Sequence, residues 1–101
     1  MTQSPEPTWR TPAVEQLAVA LAAIDDREEM LAFLRDVCSF TELGALAQRL
    51  EVARLVDSGL PYAEVAKRLG ASTATVTRVA QWLRHGEGGY RLVLDRLGDR
   101  G

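Results

Sequence analysis

Apolar residues recur at spacings of three and four along most of the chain, which is the period of an amphipathic α-helix. The first run, over residues 13–24, is rich in Ala and Leu, which favour helices. A second run, over residues 30–38, follows Asp25 and Asp26, either of which can cap a helix. Both runs have broad apolar faces. We therefore predict two N-terminal helices with more apolar surface than one short chain can cover.

Two more helices are expected on either side of a helix pair in the second half of the chain. Thr41 can cap a long helix that runs to the stop at Gly59 and Pro61. A last helix is expected from Tyr90 to about Leu97, after a glycine-rich loop. No segment alternates as a strand would. With the pair between them, these runs predict an all-α chain of six helices.

The helix pair has the pattern of a helix-turn-helix, which we place at residues 62–84. Two short helices cross steeply if the first has a small residue at the crossing, here Ala66. The turn needs a residue that tolerates left-handed dihedrals, here Gly70, and Ser72 then opens the second helix. The apolar positions that would face one small core are Val65, Leu69, Ala71, Val76 and Val79.

The second helix of this unit is expected to read DNA. Its outward side chains are short hydroxyls and a guanidinium, which suit base edges in the major groove and phosphates. Three threonines within five residues suit a helix poorly, which favours a role in contact. With two cations of the first helix, the predicted DNA contacts are Lys67, Arg68, Ser72, Thr73, Thr75, Thr77, Arg78 and Gln81.

The net charge of the whole chain differs in sign from that of its C-terminal segment. The chain has 101 residues, of which 47% are hydrophobic, and a net charge of -2, which argues against a nucleic-acid partner. From Lys67 to the C-terminus, however, seven Lys or Arg and three Asp or Glu give a net charge of +4. That segregation predicts an acidic scaffold with a basic face, although an ordinary solvated helix surface is the alternative.

Several function classes lack support in the sequence. Cys38 and His85 stand alone, so no zinc-type ligand cluster, disulfide or paired nucleophile is expected. The glycines of residues 86–89 lack the strand and the Lys of a phosphate-binding loop. No apolar run approaches the roughly 20 residues of a membrane span, and no signal peptide is evident. We therefore expect a cytoplasmic protein that is not an enzyme, with no catalytic residues, metal or cofactor.

Three segments together resemble the tryptophan-repressor family, and within it the YerC/YecD-like branch. They are TELGALAQRLEVARLVDSG, LGASTATVTRVAQWL and the tail HGEGGYRLVLDRL. The resemblance covers residues 13–97 and implies an all-α, six-helix, intertwined homodimer. Its two reading helices would lie about 34 Å apart, one DNA turn, and would recognise a palindromic operator. The expected organisation is a flexible arm over residues 1–12, this helical domain over 13–97 and a tail over 98–101.

The resemblance also implies an effector pocket between the central helix and the reading helix. In tryptophan-binding members an arginine from each helix flanks the ligand, and these arginines match Arg49 and Arg78. Those members have glycine and serine where this chain has Val79 and Trp82. Overpacking of this kind costs about 1–3 kcal/mol, or a ten- to hundredfold loss of affinity. We expect tryptophan not to be an effector; Arg49 could equally be a solvated charge or form an intersubunit salt bridge.

The leading hypothesis is a sequence-specific regulator of transcription, a repressor, that binds double-stranded DNA as a homodimer and does not respond to tryptophan. The alternative is a protein-interaction module that has the helix-turn-helix shape and little DNA affinity, which the acidic balance would favour. A generic helical hairpin, with Ser72 only a cap and the threonines a neutral surface, is the simplest competing interpretation of the motif.

Overall fold

The computed structural model describes residues 8–98, which form six α-helices and contain no strand. The all-α prediction with six helices is confirmed. The chain forms two compact units, one ending at Ser39 and the other beginning at Phe40. The helices are α1 (Pro12–Ala22), α2 (Arg27–Val37), α3 (Phe40–Asp57), α4 (Tyr62–Leu69), α5 (Thr73–His85) and α6 (Gly89–Gly98).

The two helices of the first unit begin at side-chain caps. The Thr11 hydroxyl accepts a hydrogen bond from the Val14 amide at 3.2 Å, and the Asp26 carboxylate accepts one from the Glu29 amide at 2.9 Å. Such caps contribute about 1 kcal/mol each. Of the two aspartates considered as caps, Asp26 is the one that acts. Most of the arm expected over residues 1–12 lies outside the described residues, as does the tail after Gly98.

The first unit leaves much of its apolar surface exposed. No residue of α1 or α2 is buried, and Leu17, Val19 and Leu31 are all exposed. Exposed contiguous apolar surface on a small protein marks a site of interaction. The expectation that these helices carry more apolar surface than one chain covers is therefore met by the structure of the single chain.

The second unit packs four helices around one small apolar core. Of the expected core positions, Val65, Val76 and Val79 are almost completely buried, and Leu69 and Ala71 pack against them half-buried. The helix-turn-helix register derived from apolar spacing is thus confirmed. The complete set of buried side chains is Val52, Ala53, Val56, Val65, Ala66, Val76, Val79, Ala80 and Leu94.

Two expected helix boundaries differ by two residues from those of the structure. The first helix ends at Ala22 and not at Ile24, and α3 begins at Phe40, so Thr41 lies inside the helix and is not its cap. Ser39 precedes α3 and belongs, like Thr41, to the residue types favoured at helix starts. The apolar period is the same for either start, so it could not distinguish them.

An ion-pair network fastens α6 to the end of α3. Both terminal nitrogens of the Arg91 guanidinium donate to the Asp57 carboxylate, at 2.7 and 2.9 Å, and its Nε donates to Asp95 at 3.0 Å. The hydrogen bond from Arg91, with its positive charge, holds the pKa of Asp57 below its ordinary value of 3.8. A bidentate arginine pair of this kind fixes geometry more firmly than a single contact between charges.

We expect Asp57→Asn to destabilise the second unit by about 1 kcal/mol at pH 7, because the pair is partly exposed to solvent. A carboxylate with a lowered pKa stabilises the fold above its unfolded pKa, and the effect is lost as the pH falls through the folded pKa. The difference between variant and parent should therefore shrink as the pH falls below 3.8 and through the lowered pKa of Asp57. Urea unfolding at pH 7 and at pH values below 3.8 measures it. Asp36→Asn, on α2, is the control; an equal effect there would contradict the assignment.

Candidate nucleic-acid interface

The turn between α4 and α5 is built by local backbone chemistry. Gly70 adopts left-handed dihedrals, φ 64° and ψ 30°, and the Ala71 amide donates to the Ala66 carbonyl at 3.0 Å. A side chain at position 70 would be strained there, so the turn favours glycine at this position, as predicted. The Ser72 hydroxyl then caps α5 by accepting from the Thr75 amide at 3.1 Å. The predicted helix-turn-helix is therefore formed by α4 and α5.

The outward face of α5 carries the hydroxyl and amide side chains expected to contact DNA. Ser72, Thr73, Thr77 and Gln81 are exposed. Thr75 is half-buried, and its hydroxyl oxygen accepts a hydrogen bond from the Ser72 hydroxyl at 3.0 Å. In the free protein Ser72 and Thr75 thus hold the start of the helix, while Thr73, Thr77 and Gln81 have donors and acceptors open to solvent.

The cations near the turn are not equivalent. Arg68 forms an ion pair with Glu64 one helical turn earlier, with Nε and Oε2 3.2 Å apart. Lys67 and Arg78 are exposed, and within residues 8–98 neither has an ion-pair partner. Counterion release by DNA depends on cations that are free to meet phosphates. Of these three cations, Lys67 and Arg78 therefore have no carboxylate partner within residues 8–98, whereas Arg68 has one.

Replacing Glu64 with Gln is expected to strengthen binding to random duplex DNA about two- to tenfold at low salt, because it removes a negative charge and frees Arg68. The slope of log affinity against log salt should steepen by about one. Fluorescence anisotropy between 50 and 200 mM salt, in the range where phosphate contacts dominate, measures both quantities. Glu51→Gln frees Arg54 on α3 in the same way and is the matched control. Equal effects of the two variants would show that α4 does not face DNA.

A contact between the two ends of the helix-turn-helix was not predicted. The Arg84 guanidinium, in the last turn of α5, donates from Nη1 to the Tyr62 hydroxyl at 2.6 Å and lies 6.0 Å from the centre of its ring. Tyr62 is the first residue of α4, so the pair links the beginning of one helix to the end of the other. The two residues are 22 positions apart, too far for any periodic pattern to pair them.

The residues of the expected effector pocket lie in different environments. Val79 is only 1% exposed and belongs to the core. Trp82 is 47% exposed and lines an open apolar cavity of about 600 Å³ together with Leu50, Tyr90 and Val93, which we call the Trp82 groove. Burial raises the pKa of the Tyr90 phenol, and the nearby Arg49 guanidinium opposes that rise. Arg49 is thus near Tyr90 of the groove, and both Arg49 and Arg78 are exposed.

Residues 8–98 meet neither the requirements of a metal site nor those of a membrane-spanning helix. No three His, Cys, Asp or Glu side chains of this part of the chain are grouped to hold a metal ion. None of its helices is both long and apolar enough to cross a membrane. The site chemistry that the described residues do present is a hydroxyl-rich helix face with adjacent cations.

Comparison with known proteins agrees with this geometry. Residues 13–98 match the family model of the Trp repressor protein. The uncharacterized protein YerC of Bacillus subtilis (strain 168) is 40% identical over 84 residues, which are 83% of this chain and 81% of YerC. Two solved structures are also similar, and both have high coverage.

The first solved structure is that of a TrpR-like protein from Eubacterium eligens ATCC 27750. It is 43% identical, has a TM-score of 0.82, and the match covers 88% of this chain and 92% of that chain. A crystal structure from Staphylococcus aureus is 38% identical with a TM-score of 0.81, and the match covers 88% of this chain and 89% of that one. The family resemblance drawn from the sequence is confirmed: the chain belongs to the Trp repressor family, which consists of DNA-binding regulators and not of enzymes, and YerC is one of its relatives there.

Proposed function

We propose that the protein is a sequence-specific repressor of transcription that binds a palindromic operator in double-stranded DNA as a homodimer. The observation that carries the proposal is the helix-turn-helix of α4 and α5. It has exposed hydroxyls on α5 and two exposed cations, Lys67 and Arg78, that have no ion-pair partner within residues 8–98. Membership of the Trp repressor family supports the same conclusion. A repressor must reach the DNA, so the proposed location is the cytoplasm.

The side chains divide by role according to their chemistry. Lys67 and Arg78 anchor phosphates, and Arg68 joins them when DNA phosphate replaces Glu64 as its partner. Thr73, Thr77 and Gln81 read base edges in the major groove. Ser72 and Thr75 hold the first turn of α5 through their mutual hydrogen bonds, and so keep the reading side chains in register.

Homodimerisation follows from apolar surface that the single chain leaves uncovered. The helices α1 and α2 have no buried residue, and the Trp82 groove is open to solvent on the second unit. A second copy supplies matching apolar helices, and a symmetric pair presents two reading helices to two half-sites. Sedimentation should find a dimer at micromolar concentration; a folded monomer there would contradict this part of the proposal.

The test of sequence-specific binding is selection from a pool of random duplexes with the full chain. We expect an enriched palindrome whose half-site centres are about 10 base pairs apart, bound at two protein chains per duplex. Specific binding should exceed binding to scrambled DNA by at least about 10³-fold. An unenriched pool would contradict the reading role of α5.

The alternative, a protein-interaction module, is favoured by the net charge of -2. A gel shift with random duplexes at low salt separates the two functions, because phosphate contacts alone produce non-specific binding at about 10⁻⁴–10⁻⁶ M. Absence of any shift at high micromolar protein would favour the module. A shift that disappears with added salt favours the repressor.

We also propose that free tryptophan is not an effector. Val79 is already packed into the core, so an indole beside it would have to displace well-packed side chains. Calorimetric titration should give no heat of binding, and tryptophan should leave DNA affinity unchanged. Micromolar binding, or tenfold tighter binding of DNA, would overturn this part of the proposal.

A further inference from the structure

We propose that a second cavity, at the junction of α3, α5 and α6, is a binding site for a small monocarboxylate with an apolar body. The cavity has a volume of about 530 Å³. This lies within the 300–1,000 Å³ range that is usual for small-molecule sites. It shares neither Arg49, Arg78, Val79 nor Trp82 with the effector pocket that the family resemblance implies. We call it the junction cavity.

The lining of the junction cavity is apolar on one part and charged on another. Val56 and Leu83 contribute aliphatic surface, and Asp57, Arg84 and Arg91 contribute the charges. A ligand that fits such a lining combines one charged group with a hydrocarbon portion.

The sign and size of the ligand charge follow from the pairing of the two arginines. Arg91 has its donors directed to Asp57 and Asp95, so its charge is already balanced. Arg84 has no ion-pair partner among residues 8–98; its hydrogen bond and its cation–π contact are both with the neutral side chain of Tyr62. One unbalanced guanidinium matches one carboxylate, whereas the neighbouring Asp57 would repel the second charge of a dianion.

The backbone of the loop that borders the cavity requires glycine at two positions. A Cβ atom on Gly86 would lie 2.5 Å from the carbonyl oxygen of Trp82, which is closer than real contacts allow. Gly88 has φ +85°, in the region that favours glycine. Both glycines line the cavity, so two of its lining positions have no side chain. The Gly86 amide donates to the Trp82 carbonyl at 2.9 Å, so the loop has a defined path.

The position of the junction cavity gives a bound carboxylate a route to the reading head. Leu83 and Arg84 belong to the last turn of α5, and Arg84 also holds Tyr62 at the start of α4. A ligand on Arg84 therefore contacts a residue of α5 that also holds the start of α4. This regulatory consequence rests on the proposed DNA-binding function; occupation of the cavity does not.

The test is an NMR titration of the full chain with benzoate, with the isosteric neutral benzamide as the control ligand. Benzoate should produce saturable shifts of the amide signals of residues 83–91 with a dissociation constant in the millimolar range, as a small fragment allows. Arg84→Gln should weaken binding at least tenfold, and Arg96→Gln, on the exposed end of α6, should not change it. Equal shifts with benzamide, or unchanged binding in Arg84→Gln, would overturn the proposal.

A gain of affinity provides a second, independent measurement. Asp57→Asn removes one partner of Arg91 and the carboxylate that faces the cavity, so benzoate should bind several-fold more tightly. A poorly folded variant cannot produce that result. Weaker or unchanged binding in a folded Asp57→Asn would also overturn the proposal. Because every measurement uses free protein without DNA, failure here leaves the repressor function standing, and the converse also holds.

Discussion

Replacing Val76 with Asp is expected to unfold the second unit, whereas Thr77→Asp, one position later on α5, should leave it folded. Val76 has no exposed surface and lies in the core, so an aspartate there is buried without a partner. That costs several kcal/mol, a large share of the roughly 5–15 kcal/mol that stabilises a domain of this size. Thr77 is exposed, and its replacement keeps the new charge in water.

Circular dichroism and urea unfolding of the two variants measure the difference. Val76→Ala provides an intermediate case and should cost about 1–3 kcal/mol through lost burial and a small cavity. The expected order of unfolding midpoints is therefore parent, Thr77→Asp, Val76→Ala and Val76→Asp, from highest to lowest. Similar midpoints for the two aspartate variants would mean that the register of α5 is wrong.

That register could be derived from the sequence because three independent requirements coincide on a short segment. A small residue at Ala66, a left-handed turn at Gly70 and valines at helical spacing all point to the same pair of helices. The structure places each of them as expected, with Gly70 at φ 64° and Val65 and Val76 fully buried. Agreement among local rules is what makes such a segment predictable.

Contacts between residues far apart in the chain were out of reach of the same reasoning. Arg91 and Asp57 are 34 positions apart, and Arg84 and Tyr62 are 22 apart, so only the packing of helices brings them together. The pairing of Arg68 with Glu64 is different, because i and i+4 positions of one helix always adjoin. Charge segregation indicated a basic segment, but these pairings decide which cations are free.

The expected effector pocket shows the limit of transfer by position. Matching residues to family positions correctly identified bulky side chains at 79 and 82, but it gave no information on where each points. The structure buries Val79 and leaves Trp82 on the wall of an open apolar groove. A half-exposed side chain can belong to an interface between two copies or to a ligand pocket. Trp82 therefore bears both on the proposed dimer and on the proposal that tryptophan is not an effector.

Replacing both Lys67 and Arg78 with Ala is expected to weaken DNA binding about 10- to 100-fold for specific and random duplexes alike. Both cations are exposed and unpaired within residues 8–98, so each is available to displace a counterion. Two lost phosphate contacts should lower the slope of log affinity against log salt by about two. The corresponding control is Arg54→Ala on α3, whose guanidinium is already paired with Glu51.

Replacing a base-reading side chain should change base preference and leave the salt slope unchanged, which is the opposite of what the cation variant should do. Thr77→Val keeps the shape of the side chain and removes its hydroxyl, so it should alter preference at one base position by about 1–3 kcal/mol without changing the salt slope. Thr77 is the better choice than Thr75, because the Thr75 hydroxyl also bonds Ser72 at the start of α5. Anisotropy titrations with the selected operator and its single-base variants measure both quantities. The assignment of phosphate anchors and reading residues would be contradicted by the reverse result. In that case the variant with alanine at both Lys67 and Arg78 would keep the salt slope of the parent, and Thr77→Val would lower it.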